Sequence, residues 1–135
     1  MQCLARREYS RAELHARLLP HATPEDNLDA VLDGLIARGW LSDTRAAEQM
    51  VRTRRSRFGV QRIAHELQQK GISGELIDAV LPQLKETELE AAREVWRKKF
   101  GAAPQDAREK AKQMRFLQSR GFAVDVIFKV LRLED

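Results

Sequence analysis

The sequence predicts an all-α protein made of three tandem three-helix repeats of about 50 residues, arranged as an elongated curved rod. Ala, Leu, Glu, Gln, Arg and Lys dominate between 7 Gly and 4 Pro, and these residue types favour helix over strand. An apolar pattern recurs along the chain, and capping or breaking residues stand at the expected helix ends. A unit of this size is marginal alone, so neighbouring units are expected to pack on each other.

The repeat is carried by a short apolar motif. Residues 28–32 (LDAVL) recur as residues 77–81 (IDAVL), 49 positions later, and as residues 127–131 (IFKVL), 50 positions after that. A second pair, Arg57-Phe58-Gly59 and Lys99-Phe100-Gly101, is separated by only 42 positions, which predicts about eight extra residues near 102–109. The predicted units are residues 1–39, 40–85 and 86–135.

The first unit is expected to contain three helices. A short helix ends near Glu8, and residues 10–13 (SRAE) then form a capping box that starts a helix of about ten residues. Pro20 stops this second helix. Residues 23–25 (TPE) supply a cap, a proline at the first helical position and an acid in the first turn of a third helix, which runs to Arg38 and ends at Gly39.

The second and third units repeat this plan. Ser42-Asp43 caps a helix that runs to Arg57, a second helix runs from Gly59 to Lys70, and Ser73 caps the last helix after the break at Gly71. Each helix carries one apolar stripe at helical spacing. The stripes of the third unit are Leu89, Ala92, Val95, Trp96 and Phe100 on its first helix, Met114 and Leu117 on its second, and Val124, Ile127, Phe128, Val130 and Leu131 on its last.

Composition excludes several classes of protein. The lone Cys3 allows no internal disulfide, and neither a signal-like segment nor a membrane-spanning run is evident, so we expect a cytoplasmic monomer without membrane contact. His15, His21 and His65 form no catalytic or metal-binding pattern, which predicts a non-enzymatic protein with no cofactor. A net charge of +4 favours an acidic surface or nucleic acid as the partner.

The strongest polar feature is an arginine cluster in the second unit. Such runs often form only a solvated face, but a face kept for solubility usually mixes Lys with Glu, whereas Arg suits bidentate contacts with carboxylate or phosphate. On a helix, Arg45, Arg52 and Arg55 are expected to share the face that points away from the core. The six residues are Arg45, Arg52, Arg54, Arg55, Arg57 and Arg62, with Glu48 as the only acid among them.

A second basic group, Arg93, Arg97 and Lys98 with Lys99, occupies the equivalent place in the third unit. Together the two groups would form a discontinuous basic surface for a partner or nucleic acid. The alternative is that the interleaved glutamates of this helix pair with these cations within the helix.

Trp40 follows the helix-ending Gly39 and has two interpretations. It is either an exposed anchor or a residue that packs between units, and the packed position is favoured because apolar residues after such a glycine commonly fold back on the helix.

Several spaced motifs resemble the RecX family. The resemblance covers essentially the whole chain and implies a regulator that binds the RecA filament, blocks or destabilises it, and so dampens strand exchange and RecA-assisted cleavage of repressors. The motifs are residues 4–14 (LARREYSRAEL), 39–47 (GWLSDTRAA), Val51-Arg52, Arg54, Gly59, Arg62-Ile63, Glu66-Leu67 and Lys70-Gly71-Ile72.

Two other functions stay open at this point. Each unit could be a DNA-binding helix-turn-helix, although the final helices at residues 77–84 and 127–133 are mostly apolar and have few side chains able to read base edges. The chain could also be an adaptor with no nucleic-acid role. The arginine cluster is compatible with weak, sequence-independent binding to DNA.

Overall fold

A computed structural model describes residues 7–133 of the chain. Within this range the protein consists of α-helices joined by turns and contains no strand, which confirms the all-α prediction. No helix in the range combines the length and the apolar character needed to cross a membrane. The helices are α1 (Arg11–Leu18), α2 (Leu28–Ala37), α3 (Asp43–Arg54), α4 (Val60–Gln69), α5 (Gly74–Glu86), α6 (Glu88–Lys99), α7 (Ala107–Ser119) and α8 (Val124–Leu133), with a 3-10 turn at Leu19–His21.

The second and third units of the repeat each enclose a hydrophobic core. Helices α3, α4 and α5 enclose one core that includes Ile63 and Leu67, and helices α6, α7 and α8 enclose a second core that includes Leu117 and Ile127. Side chains at equivalent positions of the repeat are thus buried in both units, as the apolar stripes predict. Helices α1 and α2 precede them as the described part of the first unit. The exact unit boundaries, after residues 39 and 85, stay a prediction.

The second and third units meet at a joint made of main-chain atoms. The Gly59 amide donates to the Arg120 carbonyl at 2.7 Å, and the Gln61 amide donates to the Gly121 carbonyl at 3.1 Å. Gly121 has a φ of +90°, and a Cβ at this position would lie 2.6 Å from the backbone nitrogen of Arg62. The close approach of the two backbones therefore requires glycine there.

The first and second units meet at an equivalent joint. The Ser10 hydroxyl donates to the Lys70 carbonyl at 2.6 Å, and Gly71 lies so close to Ala12 that a Cβ would collide with it. Ser10 and Lys70 stand 49 and 50 positions before Gly59 and Arg120, so the two joints use the same places in the repeat. One interface geometry is therefore used twice.

Most predicted helix starts are confirmed, and two predictions for the first unit need correction. Ser10 forms the predicted capping box, and Ser42 and Ser73 cap α3 and α5. The helix predicted to end near Glu8 is wrong for residues 7 and 8, which are not helical, and the rest of it lies outside the described residues. Thr23 does not cap α2, because the Asp26 carboxylate accepts from the Thr23 amide at 2.7 Å and closes a turn. Asn27 caps α2 instead.

Of two further predictions, the structure corrects the first and agrees with the second. Helix α3 ends at Arg54 and not at Arg57, because the amides of Arg57 and Phe58 both donate to the Arg54 carbonyl in a closing turn. The extra residues of the third unit do lie at 102–109, as predicted. Residues 102–106 lengthen the connection after Gly101, and residues 107–109 add a first turn to the second helix, since α7 has 13 residues and α4 has 10.

Trp40 is exposed in the α2–α3 turn. Its side chain is 68% exposed, with the Arg38 guanidinium 5.5 Å from the ring centroid, so the prediction that it packs between units is wrong. Gly39, at a φ of +77°, does turn the chain back, and the Trp40 amide donates to the Leu35 carbonyl at 2.9 Å. This turn buries the next side chain, Leu41, and leaves the indole in solvent.

Candidate functional site

The predicted arginines of the second unit fall into two groups in the structure. The first group is committed to ion pairs within the protein. Arg45 contacts the Glu8 carboxylate at 3.3 Å and donates to the Gly39 carbonyl at 2.8 Å. Arg54 makes a bidentate pair with Glu66, at 2.9 and 3.1 Å. These guanidinium groups hold helices and turns together, and much of their hydrogen-bonding capacity is already used.

Arg55 does not lie on the exposed face that the sequence predicts for it. Sequence periodicity places it on the outward face of α3, whereas its side chain is only 17% exposed and pairs with Glu88 at 3.0 Å. It also donates to the Leu84 carbonyl at 2.6 Å and to the Thr87 hydroxyl at 3.0 Å. The outward face of the last turn of α3 is covered by the junction between α5 and α6, which periodicity within one helix does not reveal.

Glu88 links this arginine to the start of α4. Its carboxylate is 6% exposed and accepts from the Val60 amide at 3.1 Å. Because Gly59 has no side chain to cap α4, a carboxylate from the next unit satisfies one of the free amides at that helix end. Arg55 and Glu88 therefore belong to the joint between the second and third units.

The second group of cations lines a cleft between these two units, with a volume of about 670 Å³. We call it the basic cleft. Arg57, Arg62 and Lys98 are the predicted residues that it contains, and Lys99 and Arg120 join them. Among residues 7–133, no carboxylate lines it. Its lining residues are Ser56, Arg57, Phe58, Arg62, Val95, Lys98, Lys99, Phe116 and Arg120.

Two phenylalanine rings organise the cations of the basic cleft. The guanidinium carbons of Arg62 and Arg120 lie 4.3 and 5.5 Å from the Phe58 ring centroid. Arg120 also lies 4.9 Å, and the Lys99 ammonium 5.3 Å, from the centroid of Phe116. Each such contact contributes about 0.5–1 kcal/mol at an exposed site. The rings thus hold several positive charges close together without neutralising them.

The charge of the basic cleft is only partly compensated. Arg62 lies 3.2 Å from Glu66, a carboxylate that it shares with Arg54. Arg120 donates to the Arg57 carbonyl at 3.2 Å, which leaves its charge in place. Across residues 7–133, no carboxylate forms an ion pair with Arg57, Lys98, Lys99 or Arg120.

The remaining predicted residues lie outside the basic cleft. Arg52 is exposed on α3. Arg97 pairs with Glu94 on the same helix at 2.9 Å, which is the helical ion pairing considered from the sequence. Arg93 is half-buried on α6 and is engaged with other groups of the protein. The structure therefore brings three of the nine predicted residues together.

Arg120 and the two rings are the site residues that the sequence analysis missed. A signal for Arg120 was available, because a basic residue stands directly before the helix-ending glycine in both units, as Lys70-Gly71 and Arg120-Gly121. The repeat places the second of these against Phe58. The spacing of Phe58 and Phe116 in the sequence does not indicate that their rings line the same cleft.

A different cluster of charges joins the first unit to the second. The Glu13 carboxylate accepts from the Lys70 ammonium and from the Arg7 guanidinium, each at 2.6 Å. Burial alone would raise the pKa of Glu13, but hydrogen bonds from Lys70 and the Ser10 amide, together with both positive charges, outweigh it and lower the pKa. This joint therefore depends on an ionised carboxylate.

The described residues contain no group of three or more His, Cys, Asp or Glu side chains able to hold a metal ion.

Fold and site together define an all-α repeat protein with a basic cleft at one joint, which suits it to bind an anionic partner. The family models that match this chain narrow this class to one family. The model for the second three-helix domain of RecX matches residues 42–81, and the model for the third matches residues 86–131.

Relatives along the whole chain agree with these matches. The regulatory protein RecX of Leptothrix cholodnii is 52% identical over 135 residues, covering 100% of this chain and 86% of the relative. That of Chromobacterium violaceum is 48% identical over 130 residues, covering 96% of this chain and 84% of the relative. The chain belongs to the RecX family.

Solved structures show the same fold. A crystal structure of RecX from Lactobacillus salivarius superposes with a TM-score of 0.78 at 22% identity, covering 98% of this chain and 89% of that one. A crystal structure of regulatory protein RecX gives a TM-score of 0.77 at 26% identity, covering 91% of this chain and 64% of that one.

Proposed function

We propose that this protein binds the RecA nucleoprotein filament in the cytoplasm and inhibits its recombinase and coprotease activities. It would thereby regulate recombinational DNA repair and the SOS response. The observation that carries the proposal is the match along the whole chain to relatives named regulatory protein RecX, at up to 52% identity. A protein of this kind acts by binding and needs neither a catalytic group nor a cofactor.

The structure supports this function through the rigidity of its joints and the position of its uncompensated cations. A filament offers many identical protomers in a regular array, and a chain of units in fixed relative positions can contact more than one of them. The uncompensated side chains of the basic cleft, Arg57, Lys98, Lys99 and Arg120, are available to acidic groups of such a partner. We therefore expect inhibition well below one molecule per RecA protomer.

A helix-turn-helix function fits the structure less well. The last helix of the second unit, α5, would be the recognition helix, and its exposed side chains include Glu75, Asp78 and Glu86. Carboxylates on that face would be repelled by the phosphates that flank the major groove. We therefore do not favour sequence-specific recognition by this helix.

The test measures RecA-dependent ATP hydrolysis on single-stranded DNA while this protein is titrated from substoichiometric to equimolar amounts. We expect hydrolysis to fall at ratios well under one molecule per protomer. Unchanged hydrolysis at an equimolar ratio would refute the proposal. Suppression that requires an equimolar ratio would support binding but would point to simple competition for protomers and not to contacts that span several of them.

A further inference from the structure

We propose that the basic cleft is a binding site for the phosphodiester backbone of nucleic acid. The site would act without regard to base sequence and without any contribution from a recombinase. This inference goes beyond the function proposed above, because a regulator could bind the filament entirely through protein contacts. The charge, the aromatic packing and the fixed walls of the basic cleft support this assignment.

The first argument is the density of uncompensated charge. Arg57, Lys98, Lys99 and Arg120 approach one volume of about 670 Å³, and within the described part of the chain no carboxylate pairs with any of them or lines the basic cleft. Like charges at this density repel one another in the empty site. A polyanion with one charge on every repeat unit relieves that repulsion at several positions at once.

The residue types favour phosphate over carboxylate. Arginine presents a planar fork of donors that matches phosphate oxygens, and Lys98 and Lys99 add point charges to the lining of the basic cleft. This protein also pairs arginine with carboxylates, both in a buried pair, Arg55 with Glu88, and in an exposed one, Arg97 with Glu94. An acidic protein surface remains the competing occupant, and the experiment below separates the two.

The aromatic rings predict a site for the backbone and not for the bases. Phe58 is surrounded by guanidinium groups at 4.3 to 5.7 Å, and Phe116 is in contact with Lys99, Arg120 and the edge of Phe100. The faces on which bases would stack are therefore already occupied by cations. Without stacking platforms or base-edge contacts, binding should not depend on sequence.

The basic cleft is also preformed. Its walls come from two units, and the main-chain hydrogen bonds from Gly59 to Arg120 and from Gln61 to Gly121 fix one wall against the other. The Arg55–Glu88 pair closes the same joint from the side of α3 and α6. Binding therefore needs little reorganisation of the protein, which lowers the entropic cost of association.

The experiment is a titration of labelled oligonucleotides of unrelated sequence, single- and double-stranded, followed by fluorescence anisotropy at several salt concentrations. If four phosphates are neutralised, single-strand affinity should fall about 50-fold between 50 and 200 mM salt, with little difference between sequences. Double-stranded oligonucleotides should show a steeper fall, of about 150-fold. No measurable binding at 50 mM salt, or a preferred sequence that survives at 200 mM, would refute the proposal.

A pair of double variants locates the site. Lys98→Gln with Lys99→Gln removes two charges from the basic cleft, and Lys110→Gln with Lys112→Gln removes two exposed charges from α7 outside its lining. The first variant should lose at least about tenfold in affinity at 50 mM salt and about half of the salt dependence, whereas the second should change affinity by less than about threefold.

Two outcomes would overturn this assignment. Equal losses in both double variants would mean that binding follows diffuse surface charge. If the basic-cleft variant keeps full affinity for oligonucleotides but loses inhibition of RecA-dependent ATP hydrolysis, the occupant is an acidic protein surface and not nucleic acid. The oligonucleotide titration contains no RecA, so its failure is distinguishable from failure of the proposed function.

Discussion

At the scale of single residues, the arginines of the second unit have different roles although their sequence context is similar. Arg55 is buried against Glu88 and three acceptors of the α5–α6 junction and of the α3–α4 turn, while Arg52, one turn earlier, is exposed on the same helix. A pattern read within one helix treats the two as equivalent. The difference arises because a neighbouring unit covers only the end of α3.

We predict that Arg55→Ala lowers the free energy of unfolding by about 3 kcal/mol, because it leaves the buried carboxylate of Glu88 without its cation. Arg52→Ala is the matched control, since an exposed site of this kind normally changes stability by less than about 0.5 kcal/mol. Urea denaturation of both variants checks the prediction. Similar small losses in the two would show that Arg55 is not part of the joint.

Only some of the residues in the basic cleft could be predicted from the sequence. The excess of arginine correctly drew attention to Arg57 and Arg62, and the repeat extended the basic surface to Lys98. It could not identify which arginines were already paired, because their partners Glu8, Glu66 and Glu88 come from other helices and turns. The ion pairs that decide availability are tertiary contacts, which one sequence does not display.

At the scale of helices and turns, the glycine after the second helix of a unit has a role in assembly as well as in ending that helix. Gly121 has a φ of +90° and lies against the backbone of Arg62 in the preceding unit. The sequence predicted a helix end at the equivalent glycine of the second unit, Gly71. It did not predict the contact, since nothing in the local pattern indicates which backbone approaches the turn.

We predict that Gly121→Ala destabilises the protein by more than about 2 kcal/mol, because the new methyl group meets Arg62 and the positive φ disfavours alanine. Gly34→Ala is the control. Gly34 lies inside α2 with no atom within 4 Å of an added Cβ, so this change should stabilise the protein by about 0.5–1 kcal/mol. Thermal denaturation of the two variants should shift the midpoint in opposite directions, and a stable Gly121→Ala variant would contradict the close backbone contact.

The helices themselves were more predictable than their contacts. Serine caps at residues 10, 42 and 73 and breaks at Gly71 and Gly121 act through neighbours in the sequence, so they mark helix ends directly. The start of α2 was misplaced because two caps compete within five residues. Thr23 satisfies the sequence rule, but Asp26 closes a turn with it, and Asn27 caps the helix.

At the scale of the whole molecule, the two joints occupy equivalent places in the repeat but differ in chemistry. The joint of the second and third units relies on main-chain hydrogen bonds and one buried ion pair. The joint of the first and second units relies on more exposed charges, in which Glu13 bridges Arg7 and Lys70 while Glu8 contacts Arg45. Acid should therefore weaken the joint of the first and second units when Glu13 becomes protonated.

Glu13 gives this difference a measurable pH dependence. Its pKa in the folded protein is below the ordinary value of 4.5, so its contribution to stability is fully present above about pH 4.5 and is lost as the pH falls through the lower folded pKa. We predict that Glu13→Gln lowers stability at pH 7 and flattens the decline below pH 4.5. Glu25→Gln, at an exposed loop position, should leave that decline unchanged. Urea denaturation between pH 3 and 7 checks this, and parallel curves for the wild type and Glu13→Gln would mean that other carboxylates control the acid response.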